Sequence, residues 1–224
     1  PLERDLSVQL GIPLYALNPD LLEWGTKNGS RQIFQEAGVP HPDGSCSVFN
    51  GRELAEATAN LWERQPTLQR MVIKLNEGFS GEGNALLDLH PLTEIAPNVA
   101  AHTTRVQQLC DRFHTLKFEA KNETWENYSS RIPELGAIVE AFVEGEEKRS
   151  PSVQGRITPT GEVEILSTHD QILGGPNGQI YLGCRFPADE AYRLQLQTLG
   201  EQIGRNLAAK GVIERFGVDF IAVK

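Results

Sequence analysis

A chain of 224 residues suits one large domain or two small lobes, with a core that needs no staples. Its net charge of −9, with no Lys/Arg run longer than Lys148-Arg149, excludes the clustered basic face of a nucleic-acid binder. No stretch approaches the roughly 18 apolar residues of a transmembrane helix. Cys46, Cys110 and Cys184 stand far apart without Cys-x-x-Cys spacing, as reduced thiols of a cytoplasmic protein do.

Residues 1–25, an apolar lead with Pro13 and Pro19, read as the end of a preceding element. Ile33, Phe34 and Ala37 predict a helix over 26–37, capped by Gly38 and stopped by Pro40. Asn50 is the N-cap candidate of a second helix carrying Leu54, Ala57 and Leu61. Strands are expected over 71–76 and 85–89, and a helix over 100–113 with Val106, Leu109, Cys110 and Phe113 as its stripe. The polar stretch 122–132 gives no clear element. From 137 strands dominate: 137–143, then 152–157 and 162–168 around the turn Thr158-Pro159-Thr160-Gly161, then 179–183. A long helix follows over 188–210, with Leu196, Leu199, Ile203 and Leu207 inward, and a last strand over 215–223. No repeat is present. The pattern is an α+β architecture with a first lobe over 26–136 and a second over 137–224. The chain opens on Pro1 and closes on Lys224 within the last strand, as a piece of a longer protein would.

Four places carry chemistry. Lys74 sits in an apolar strand that runs into Asn76-Glu77-Gly78-Phe79-Ser80-Gly81-Glu82-Gly83. Glycines let backbone N–H groups turn toward phosphate oxygens, and lysine adds a mobile charge. The loop is not a Walker A motif, because Asn84-Ala85 stands where Lys-Ser/Thr is required. It is not a nucleophile elbow either, because Glu82 follows Ser80-Gly81. Strand, glycine flap and strand form a hairpin lid over a nucleotide, or an ordinary Gly-rich hairpin. Lys27 opens a helix, where the macrodipole prefers acids; an anion bound there would explain it, and a solvated surface lysine would too. The stretch from Ile138 through Glu147 is a strand whose backbone edge could read adenine, with a carboxylate beyond it for ribose, or a simple acidic turn. Asp219 is a lone acid in an apolar strand, which suggests Mg²⁺ on nucleotide phosphates or a hydrogen-bonded structural role.

The order of these parts resembles the ATP-grasp superfamily over nearly the whole chain. The phrases Gly25-Thr26-Lys27-Asn28-Gly29-Ser30-Arg31, His169-Asp170-Gln171-Ile172-Leu173-Gly174-Gly175 and Gly183-Cys184-Arg185-Phe186-Pro187 resemble the carboxylate–amine ligases related to the pheganomycin peptide ligase. The resemblance implies two α+β lobes with a nucleotide cleft between antiparallel sheets. It assigns Lys27 and Lys74 to ATP phosphates and Ser80, Gly81 and Gly83 to the lid. Glu140, Phe142 and the backbone of Val143 would line the adenine site, Glu147 would hold ribose and Asp219 would bind Mg²⁺. Arg185 is the candidate clamp for a carboxylate or acyl phosphate. Relatives carry further metal ligands on a strand that would follow Asp219. The D-alanine ligases place a lysine about where His169 stands.

The implied reaction is ATP-dependent ligation of a small carboxylate to an amine through an acyl phosphate, by an enzyme that could form oligomers. The piece alone could be inactive. A non-catalytic ATP sensor and an ATP-grasp kinase are the rival readings.

Overall fold

The computed structural model describes residues 2–78, 83–175 and 178–223. Its helices, in chain order, are α1 (Leu2–Leu10), α2 (Lys27–Glu36), α3 (Gly51–Arg64), α4 (His102–Arg112), α5 (Trp125–Leu135) and α6 (Arg193–Ala209). The strands are β1 (Arg70–Leu75), β2 (Asn84–Asp88), β3 (Lys117–Phe118), β4 (Ala137–Ala141), β5 (Lys148–Ile157), β6 (Val163–Gly174), β7 (Ile180–Arg185), β8 (Glu214–Asp219) and β9 (Ala222–Val223). The chain forms two compact units. One comprises Pro1–His41, Gly145–Ile172 and Leu182–Lys224; the other comprises Pro42–Glu144 and Leu173–Tyr181.

The unit containing Lys74 is a four-stranded antiparallel sheet in the order β3-β2-β1-β4. Strand 137–141 pairs with β1 and so belongs to this sheet. Alternation along β1 sends Met71, Ile73 and Leu75 to one face and Val72 and Lys74 to the other. The first face, with Ala85, Leu87, Ala137 and Val139, packs on Leu54, Leu61 and Trp62 of α3, Leu109 of α4 and Ile132 of α5 in one core. Helices α3 and α5 begin where side chains cap them. Asn50 Oδ1 accepts from Glu53 N at 2.8 Å, while Glu53 Oε2 accepts from N–H of Phe49, the residue before the cap, at 2.8 Å. Thr124 Oγ1 caps α5 through Asn127 N at 3.3 Å, making a helix of the stretch that gave no clear element in the sequence.

In the other unit the strand order is β7-β6-β5-β8, with β9 on the far end of β5. The long last strand expected from the sequence breaks at Phe220-Ile221, and pairing with β5 resumes at Ala222↔Arg149. The helix expected from 188 starts at Arg193 instead. Asp189 takes the preceding backbone, its Oδ1 accepting from Ala191 N at 3.0 Å, which holds that stretch out of the helix. Ile203 and Leu207 of α6 cluster with Ile157 and Val218 of the sheet and with Ile33 of α2. Thr26 caps α2 through Gly29 N at 3.0 Å, and Gly38 ends that turn at φ +66°, as the sequence predicts.

Candidate functional site

The site residues of the first sheet share its second face, the one turned from the core. Register places Lys74 beside Ile138 and Asn84, and Val72 beside Glu140 and Leu86. Phe142 continues the alternation past β4, and its N–H donates to the Arg70 carbonyl at 3.2 Å. Lys74, Glu140 and Phe142 therefore line one surface because their spacing follows the strand period of two. Lys74 Nζ lies 2.5 Å from Glu140 Oε2, and Glu140 is only 8% exposed. Val72, Leu86 and Ile138 are buried on this face yet join no hydrophobic cluster among the described residues. A cation, a buried carboxylate and an apolar floor on one surface can hold a flat polar ring together with an anionic tail.

Gly83 closes the glycine loop. Its carbonyl accepts from Leu75 N and from the buried Tyr128 hydroxyl, both at 2.9 Å. A side chain there would bring Cβ to 3.2 Å from Leu75 Cβ, so glycine suits the position. Ser80 and Gly81 lie outside the described residues. Beyond β4, Val143 is half-buried and Glu147 is exposed in the connection to β5. Lys27 is the first residue of α2, immediately after the Thr26 cap.

Asp219 does not stand as its sequence context suggests. Val218 is the buried neighbour in β8, and Asp219 is exposed on the opposite sheet face, so no burial penalty demands a metal. The register sets Asp219 beside Ser152, and Ser152 beside His169 of β6. His169, Ser152 and Asp219 thus form a row across three strands, with Gln154 Nε2 donating to Ser152 Oγ at 3.1 Å. Asp170, one residue along, takes the other face, where its Oδ2 accepts from Asp189 N at 2.9 Å and its Oδ1 from Tyr192. The turn that follows Arg185 is tied down at Asp189. Its carboxyl is held below the usual range first by Ala191 N–H, then by Arg149 at 2.6 Å, with Arg185 adding charge. Arg185 itself is exposed at the end of β7. Among the described residues no three His, Cys, Asp or Glu side chains group as a metal cage.

Two features escaped the sequence reading. Arg70 lies on the Lys74 face, and the spacing 70, 72, 74 was the available signal. Ser152 and Gln154 sit among polar residues whose meaning comes only from pairing.

A family model described as IQCH-like, ATP-grasp matches residues 21–108 and 96–224. The chain belongs to this ATP-grasp family. An L-propargylglycine–L-glutamate ligase from Streptantibioticus cattleyicolor is 34% identical over 201 residues, covering 88% of this chain and 38% of the relative. IQ motif-containing protein H from Danio rerio is 24% identical over 241 residues, covering 97% of this chain and 23% of that one. The chain thus spans well under half the length of both. Among solved structures, the biotin carboxylase–β,γ-ATP complex from Campylobacter jejuni superposes with a TM-score of 0.66 at 17% identity, over 98% of this chain and 42% of that one. The ATP-grasp fold expected from the order of motifs is borne out, and so is the likeness to a ligase branch. No helix among the described residues is long and apolar enough to cross a membrane.

Proposed function

We propose that this chain is the ATP-binding part of a carboxylate–amine ligase that works through an acyl phosphate. A substrate carboxylate oxygen attacks the γ-phosphorus of ATP and ADP leaves. An amine then attacks the acyl carbon and phosphate leaves, so one amide forms per ATP. The observation that carries this reading is the sheet face bearing Lys74 against Glu140 at 2.5 Å, with Phe142 beside them. The relative named for joining propargylglycine to glutamate supports the peptide-type product.

In this reading Lys74 and Lys27 offset charge on the phosphates, and the loop carrying Ser80, Gly81 and Gly83 excludes water from the acyl phosphate. Glu140, Phe142 and the Val143 backbone receive adenine, and Glu147 receives ribose. Arg185 grips the carboxylate or acyl phosphate in its planar fork. One exposed carboxylate on a polar sheet face, Asp219, suits a Mg²⁺ ion that takes its other ligands from phosphate and water. His169, in the same row as Asp219, would contact a phosphate or acyl group in this reading. Three free thiols fit a reducing cytoplasm.

The test uses the full-length protein with MgATP, L-propargylglycine and L-glutamate, then other amino-acid pairs. Equal amounts of ADP and phosphate, released only when carboxylate and amine are both present, are expected. The rival readings, a nucleotide sensor and a kinase, part from this one on turnover. A sensor would bind MgATP and release neither product. A kinase would release ADP without phosphate and need no amine.

A further inference from the structure

Arg70 makes three ties to one short segment. Its carbonyl accepts from Phe142 N at 3.2 Å. Its guanidinium carbon lies 4.1 Å from the Phe142 ring centroid. Its Nε donates to Glu144 Oε1 at 2.9 Å, and its Nη2 donates to Glu144 Oε2, a two-point fork. Only a planar guanidinium can stack on a ring and grip a carboxylate in this way. The two charged side chains are 36% and 40% exposed, so the pair contributes little to folding. Its consequence is geometric. β4 ends at Ala141, and Arg70 sets the course of Phe142, Val143 and Glu144 beyond that end.

We propose that Arg70 is a positioning residue for the nucleotide. By fixing the Phe142 ring and the backbone after it, Arg70 sets which purine edge the segment accepts, an amino-bearing adenine rather than an oxo-bearing guanine. This rests on the nucleotide reading of the same face given above.

The experiment measures MgADP and MgGDP affinity by calorimetry for the full-length protein and its Arg70→Ala, Arg70→Lys and Glu144→Gln variants. Thermal unfolding is followed alongside. Arg70→Ala should weaken MgADP binding about tenfold, the loss of one good contact, and should narrow its margin over MgGDP. Arg70→Lys, keeping charge without the planar fork, should fall between. Glu144→Gln should shift in the same direction as Arg70→Ala, which keeps the test open if Arg70→Ala fails to fold. A purely structural role would lower the melting temperature and leave the MgADP/MgGDP ratio alone, and that result overturns the inference. Variants that bind MgADP with wild-type affinity overturn it as well. Wild-type protein that binds no MgADP instead overturns the nucleotide reading itself, and this inference with it.

Discussion

Lys74 is held by a strand on one side and a carboxylate on the other, so its ammonium has a fixed address. The ion pair with Glu140 is mostly shielded, with side-chain exposures of 27% and 10%. A charge so placed acts on a developing phosphoryl charge more strongly than one in water. Lys74→Ala in the full-length protein should therefore lower kcat/KM by about 10²-fold or more. Single-turnover ADP release checks this, and an unchanged rate removes Lys74 from the chemistry. Asp43 makes a residue-scale prediction of another kind. Its carbonyl accepts from Ala141 N at 2.8 Å, which anchors the end of β4. Arg64 holds the Asp43 carboxyl below its usual range, donating from Nη2 at 2.9 Å and from Nε at 3.1 Å. With the folded value below the unfolded one, near 3.9, the stabilisation is complete above the unfolded value. It is lost as pH falls through the folded value. Urea unfolding from about pH 6 to pH 3 should show a steeper acid loss for wild type than for Asp43→Asn. A gap between the two that does not change with pH would refute it. Arg64 and Asp43 were not legible as a pair, because nothing in sequence spacing joins a helix end to a loop.

Helix α6 shows how an element can be read correctly and still be misjudged. Its stripe of Leu196, Leu199, Ile203 and Leu207 follows the period of 3.6, while propensity alone makes Gly200 and Gly204 weak helix formers. Both are contact points. A Cβ on Gly200 would lie 2.7 Å from Val153 Cγ1, and one on Gly204 would lie 2.5 Å from Val163 Cγ1 and 2.8 Å from Phe216 Cζ. The missing side chains let the helix lie close on β5 and β6. Gly204→Ala gains about 1 kcal/mol of helix propensity and loses about 1–3 kcal/mol to overpacking. A net loss of about 1 kcal/mol is expected by denaturant titration, and a stabilised variant would contradict the close packing. The opposite error arose at α5. Trp125, Tyr128 and Ile132 carry its buried side, yet its polar flanks hid them, and Thr124 as cap was the signal to weigh. Strand β6 ran on past its expected end for a related reason. His169 and Gln171 face away from the core, so the stretch lacked apolar alternation on which to read a strand.

At the scale of the whole chain, the two largest of the three hydrophobic clusters among the described residues differ in how they use the sequence. Every buried residue of the Lys74-sheet core, from Leu54 to Val139, lies within Pro42–Glu144. The other core joins Ile33 and Val39 to Ile157, Ile203, Leu207, Val212 and Val218, residues drawn from both ends of the chain. Periodicity can identify each of these elements, but it carries no information on which distant elements pair, so this division was not readable from spacing. It makes a prediction. A 42–144 polypeptide should fold cooperatively, because it contains a complete core and four strands and is of ordinary domain size. A 145–224 polypeptide should not, because removing Ile33 and Val39 leaves apolar surface of α6 and the sheet open to water. Supplying residues 1–41 should restore it. Far-UV circular dichroism and urea unfolding of the three polypeptides decide the matter. A cooperative 145–224 piece would mean that α2 is a passenger on that core. A folded 42–144 piece would carry Lys74, Glu140, Phe142 and Arg70 together. The affinity of that face for MgADP could then be measured on its own, and a piece that folds but binds none would show that the face is not sufficient for the nucleotide.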